Sequence, residues 1–257
     1  MLSRNQVKYI HSLKQKKFRE IHQQFLAEGS KLILEMLDSS YKLSAIYASA
    51  EWLTQNDSIL ISRKIPYTEI SVPEMGRITA LSSPSPVLAI VEFPEIPIFV
   101  QDIFNDLALV LDDIKDPGNL GTIIRIADWF GIRFIFCSMN TVDLYNPKVI
   151  QATMGSFTRV KVIYDNLPSF LSSFEGKTRI YGAFPEGENI YSGPLETKGI
   201  IVIGNESEGI SPEVAELVTD RISIPSYPPA SGHDHAESLN ASVATAIICS
   251  EFRRRTG

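Results

Sequence analysis

From about residue 105 onward, short apolar runs alternate with helical patterns, and this alternation restricts the fold more than any other feature of the chain. LALVLDD, RFIFCS, TRVKVIY, RIYGAF, GIIVIG and RISIP read as strands, and helices are expected to start near Asn119, Pro147, Leu167, Ser211 and Ser238. Strands separated by helices cross over and pair in parallel, with helices on both faces of the sheet. The first unit shows the pattern best. LALVLDDI runs into the turn residues Asp116, Pro117 and Gly118, and a helical pattern then begins at Asn119. Ile123, Ile124, Ala127 and Phe130 form its core-facing stripe. Asn119, Thr122 and Arg125 step by three along the other side, where packing alone would not require them.

Residues 1–95 read as a separate, compact α/β module. Val7, Ile10 and Leu13, then Phe18, Ile21 and Phe25, fall at helical spacing. FLAEGSKLILEML follows as a strand or turn leading into a helix, while LSAIYASA and VLAIVEFP read as strands. FPEIPIFV, with Pro94 and Pro97, resists both helix and central strand. The expected organisation is a domain at 1–95, a linker at 96–105 and a second domain at 106–257.

At 257 residues the chain can hold two modest domains. No apolar run approaches the ~18 residues of a membrane span. The first residues lack the apolar core of a signal peptide, so the cytoplasm is the expected location. Cys137 and Cys249 are isolated and suggest neither a disulfide framework nor a zinc site. The net charge is −6, yet residues 1–31 carry +5 and leave −11 for the remainder. Such asymmetry fits phosphate binding by the front part. It fits a solvated basic helix equally well, and charge does not choose between them.

In open parallel sheets ligands bind at the carboxyl ends of strands. Three loops lie there: KDPGNLGTIIR, IVIGNESEGIS and ISIPSYPPASGHDHAESLNASVATAI. Asn119 and Ser238 could each be a plain helix cap. DPGNLG is not the dinucleotide fingerprint and no P-loop is present, so nucleotide binding by either route is disfavoured. His233 and His235 in a polar loop have no second ligand cluster, and no metal is expected. Ser156 has no evident His–Asp partners for a hydrolase triad.

Taken in order, N-x-G-x-x-x-R (Asn119, Gly121, Arg125), MGSFTR, IVIGNESEGIS and ISIP…SLNASVATAI resemble the SpoU (TrmH-like) branch of the SPOUT methyltransferases. The front part resembles the L30e-like substrate-binding domain found ahead of many such enzymes. The resemblance implies a SPOUT fold with a C-terminal trefoil knot, a rare exception to unknotted topology. It also implies a homodimer that transfers a methyl group from S-adenosylmethionine to a ribose 2′-hydroxyl, with ribosomal RNA favoured over tRNA. A non-catalytic RNA- or ribosome-binding protein of the same fold is the alternative from another class.

The same resemblance points to Asn119, Arg125, Glu206, Ser238 and Asn240 as catalytic or RNA-positioning residues. Ile203, Gly204, Ile224 and Leu239 would meet the cofactor, largely through backbone groups. Arg159 of the GSFTR motif would bind RNA, and the basic front stretch adds Lys14, Lys16 and Lys17 as expected RNA contacts. The family mechanism makes Arg125 the base, but a guanidinium with a pKa above ~12 is not normally deprotonated. Orientation of the target by Arg125 is the physically simpler role. Between ISIP and SLN the chain carries SYPPASGHDHAE, where the family often has a short glycine-bearing connection.

Overall fold

The structure, a computed structural model, describes residues 1–95, 106–227 and 238–255. The expected linker at 96–105 lies outside the described residues, as do His233, His235 and most of the loop before Ser238. The chain divides into two compact units. One is Met1–Ile96 together with Asp143–Thr158; the other is Pro97–Val142 together with Arg159–Gly257.

In the first unit, α1 (Arg4–Ser12) starts at a capping box in which Ser3 and Gln6 satisfy each other's backbone N–H groups. It is followed by α2 (Lys16–His22), β1 (Gln24–Glu28), α3 (Ser30–Leu37), β2 (Leu43–Ala48), α4 (Ala50–Ser62), β3 (Tyr67–Glu69), α5 (Val72–Ile78) and β4 (Val87–Glu92). The strands order as β1-β4-β2-β3, with β4 antiparallel to both neighbours and β2 parallel to β3. The expected helical stripe from Phe18 to Phe25 is interrupted. Gln23 ends α2 in the left-handed conformation, so Ile21 stays 61% exposed while Phe25 lies fully buried in β1.

The second unit contains β5 (Leu107–Leu111), α6 (Pro117–Trp129) and β6 (Phe134–Ser138), and resumes with β7 (Lys161–Asp165) after a segment holding α7 (Pro147–Thr153). Then come α8 (Leu167–Ser172), β8 (Ile180–Asn189), β9 (Gly199–Ile203), α9 (Pro212–Ala215), β10 (Asp220–Ser223) and α10 (Ala241–Arg254). All six strands are parallel, in the order β10-β8-β9-β5-β6-β7. Each expected strand is present. β5 and β9 are buried along their whole length, as strands covered on both faces must be. Ala108, Val110 and Ile180 face a core with Leu171 of α8 and Val214 of α9. Tyr181, one residue on from Ile180, points the other way and meets Phe252 of α10 edge-to-face at 4.9 Å.

Two helix starts differ from the sequence expectation. Asp116 caps α6 by accepting the Asn119 N–H at 2.9 Å, and Pro117 sits in the first turn, so the helix begins before Asn119. α10 is capped by Asn240 rather than Ser238, which is exposed ahead of the helix.

Residues 143–158, including most of MGSFTR, belong to the first unit. Tyr145 stacks between Phe25 and Phe93 at centroid distances of 4.5 and 4.2 Å, and Phe157 meets Tyr41 at 5.2 Å. The Arg19 guanidinium, 3% exposed, is paired with Asp143 and donates to the Leu13 carbonyl at 3.0 Å. Gly155 has a φ of +97°, a conformation that strains any other residue, and a Cβ there would also displace the Glu35 carboxylate.

Candidate active site

The strand order reverses direction between β5 and β9. From β5 the chain moves out to β6 and β7, then returns to the far side through β8 and β9. In open parallel sheets the crevice at such a switch point is where ligands bind. The loops leaving β5 and β9 are therefore the ones to inspect, and a hydrogen-bonded chain of side chains joins them.

Asn119, in the first turn of α6, donates through Nδ2 to the Glu206 carboxylate in the loop after β9. Its Oδ1 accepts from Asn240 Nδ2 at 2.9 Å. Asn240 Oδ1 in turn accepts the N–H groups of Ser242 and Val243, at 3.0 and 3.4 Å, and the Ser242 hydroxyl at 2.6 Å. Residues 119, 206 and 240 thus meet although they lie on three separate segments of the chain. The sequence pointed to all three.

The loop after β9 is internally built. Asn205 and Gly209 exchange backbone hydrogen bonds of 3.0 and 2.9 Å, and Asn205 Oδ1 accepts from the Ser207 and Glu208 N–H groups. Asn205 Nδ2 also donates to the Asp113 carbonyl at 2.9 Å, tying this loop to the one after β5. Asp112 adds a second tie by accepting the N–H and hydroxyl of Ser211 at 2.8 and 2.6 Å. The sequence reading attached no role to Asp112, Asn205 or Ser242. The paired aspartates ending an apolar strand were the available signal for the first.

A Cβ at 204 would lie 2.2 Å from the Gly209 carbonyl carbon, so the missing side chain admits the folded-back loop itself. Ile203 is buried in β9, and its carbonyl accepts the Asp112 N–H at 2.9 Å. Ile224 is half-buried, and Leu239 is 46% exposed beside Asn240. Both are apolar side chains with surface open to a ligand.

Arg125 lies a turn and a half along α6 from Asn119 and is exposed. Among the described residues it has no hydrogen-bonding or ionic partner. The expected RNA contacts are more engaged. Arg159 grips the Asp128 carboxylate at 2.8–3.1 Å. Lys14 donates to the Thr79 carbonyl at 2.6 Å, and its partial burial lowers its pKa. Lys16 lies 3.8 Å from Glu20. Lys17 is exposed.

A cleft of about 440 Å³ opens at the ends of β5, β6 and β7, but it is not this site. Asp112, Asp113, Asp165, Glu208 and Glu213 line it, and none of the expected cofactor residues does. Its carboxylates would repel an RNA phosphate. Among the described residues no group of His, Cys, Asp and Glu could hold a metal ion, and no helix is long and apolar enough to cross a membrane.

The family model described as SpoU rRNA Methylase matches residues 106–250, and that of an MRM3-like substrate binding domain matches residues 4–89. The chain is 29% identical over 249 residues to the 23S rRNA (guanosine(2553)-2'-O)-methyltransferase RlmP of Bacillus subtilis, covering 96% of this chain and 95% of that one. Among solved structures, a protein from Porphyromonas gingivalis assigned to the TrmH family of RNA methyltransferases superposes with a TM-score of 0.85 at 38% identity, over 99% of both chains. An AdoMet-bound rRNA methyltransferase from Sinorhizobium meliloti gives 0.85 at 28% identity, over 99% of this chain and 96% of that one.

Proposed function

Because the chain belongs to the SpoU rRNA methylase family, we propose that it methylates a ribose 2′-hydroxyl of ribosomal RNA with S-adenosylmethionine. The observation that carries this reading is the Glu206–Asn119–Asn240 chain at the switch point of the parallel sheet. The half-buried Ile224, the exposed Leu239 and the backbone at Ile203 and Gly204 would hold the cofactor's adenine. Bound there, S-adenosylmethionine supplies an electrophilic methyl group.

This chain's own residues then have to align a weakly acidic hydroxyl. Glu206 fixes the Asn119 amide, and Asn240 fixes it from the other side. Each amide keeps one Nδ2 hydrogen that is unused among the described residues and can hold an oxygen of the target nucleotide. The unpaired Arg125 guanidinium suits a phosphate or hydroxyl of the RNA, and orientation into attack geometry supplies much of the rate. Ser238, exposed before α10, is assigned to the RNA side of the site.

We further read residues 1–95 as the RNA-binding domain, with Lys14, Lys16 and Lys17 as its phosphate contacts, and 106–257 as the methyltransferase domain, knotted through α10. Arg159 joins the RNA contacts by exchanging Asp128 for a phosphate. A homodimer is supported by Trp129 at the end of α6, which is 84% exposed, and by Val243 on α10, which packs beside α6. Large apolar groups left open on adjacent helices fit a second copy of the chain. A monomer by light scattering that retained full turnover would contradict this. A cytoplasmic location is supported by the similarity to a bacterial rRNA methyltransferase.

The direct test is incubation with methyl-labelled S-adenosylmethionine and ribosomal RNA from cells lacking the gene, followed by nucleoside analysis. Label in a 2′-O-methyl nucleoside is expected. Label confined to a base, or label found in tRNA but not ribosomal RNA when both are supplied, would overturn the assignment.

A further inference from the structure

We propose that Ser242, to which no role has been attached, is a positioning residue that sets the catalytic amides through Asn240. The inference rests on the reading of Asn119 and Asn240 as catalytic. A helix cap alone does not need an asparagine here, because an aspartate or serine would accept the same N–H groups. What only asparagine offers is an acceptor for the helix on one side and a donor on the other. Asn240 uses both, with Oδ1 on α10 and Nδ2 on Asn119 Oδ1.

Which way an amide faces is decided by its partners. The shortest bond to Asn240 Oδ1 is the one from the Ser242 hydroxyl, at 2.6 Å, against 3.0 and 3.4 Å for the two backbone donors. Ser242 is 8% exposed, so its hydroxyl has little access to water as an alternative partner. With three donors on the oxygen, a flipped amide would push its NH2 group against them. The flip would also set an oxygen against Asn119 Oδ1, releasing Asn119 and then Glu206. The Ser242 hydroxyl therefore holds the far end of a chain whose other members face the substrate.

The test compares Ser242→Ala, Ser242→Thr and Asn240→Ala in the full-length enzyme, alone and combined. Ser242→Ala should lower kcat by about fivefold to tenfold, the loss expected from one oriented hydrogen bond. KM for S-adenosylmethionine and the melting temperature should stay near wild type, and Ser242→Thr should restore kcat. In an Asn240→Ala background the serine change should have no further effect, because its partner is gone. Wild-type kcat in Ser242→Ala, or a full additional loss in the double variant, overturns the proposal while an impaired Asn240→Ala leaves the site reading intact. Wild-type kcat in Asn240→Ala overturns both. Should Ser242→Ala fail to fold, Ser242→Cys replaces it, and undiminished kcat there overturns the proposal.

Discussion

A Cβ at position 204 would sit 2.2 Å from the Gly209 carbonyl carbon and 2.4 Å from the Ile210 nitrogen. Neither is the movable end of a side chain. Gly204→Ala should therefore open the loop that carries Glu206, at a cost of about 1–3 kcal/mol, and should reduce turnover by more than the stability loss explains. Urea midpoints at unchanged slope, beside initial rates, would check this. At this scale Asn119, Glu206 and Asn240, which the structure joins in one hydrogen-bonded chain, were singled out through the family's motifs, because their types alone read as turn or cap residues. Ser242 was not, because a serine in the first turn of a helix reads as ordinary. Arg159 and Lys14 show the reverse limit, since sequence reveals a charge but not the Asp128 carboxylate or Thr79 carbonyl that occupies it.

Helix α10 is fastened at its carboxyl end by arginines that would pass in sequence for a basic tail. Arg253 Nε donates to the Phe130 carbonyl at 2.7 Å, and Arg255 reaches the Ile190 carbonyl at 2.6 Å. Glu251, buried, binds both Arg254 and Arg255. The Arg254 hydrogen bond, joined by that of Arg255, holds the Glu251 carboxyl down to about 2 against an ordinary 4.5. A folded-state value below the unfolded one stabilises the fold above the unfolded pKa, and that contribution is lost as pH falls from 4.5 toward 2. Glu251→Gln should remove this acid-sensitive portion, so stability measured by urea midpoints should fall less steeply across that window than in the wild type. An unchanged slope would mean that the contact contributes nothing. The elements themselves were readable from apolar period. Their ends were less so, because the caps at Asp116 and Asn240 shift each start by two or three residues. The left-handed Gln23 likewise ends a stripe that periodicity would have continued to Phe25.

For the molecule as a whole, a net charge of −6 concealed a basic front end. Charge reversal at Lys16 and Lys17 should weaken RNA binding and flatten its dependence on salt, since each lost phosphate contact removes a released counterion. An unchanged slope would reduce this segment to a solvated face. These two lysines are cleaner probes than Lys14, whose reversal would also break the bond to Thr79. The assignment of residues 143–158 to the first unit could not be read in advance. Phe25, Phe93 and Arg19 receive Tyr145 and Asp143 across more than fifty positions of sequence, and no local pattern encodes such a pairing. The alternation of strands and helices did give the second unit's sheet, because parallel pairing follows from it with few alternatives.

The proposed role of Arg125, serving the RNA rather than the fold, is tested most directly by substituting that residue. Arg125→Ala should bind S-adenosylmethionine by calorimetry as the wild type does, while methyl transfer to ribosomal RNA falls by at least about a hundredfold, the scale on which lost orientation acts. Transfer at near-normal rate in that variant would contradict it.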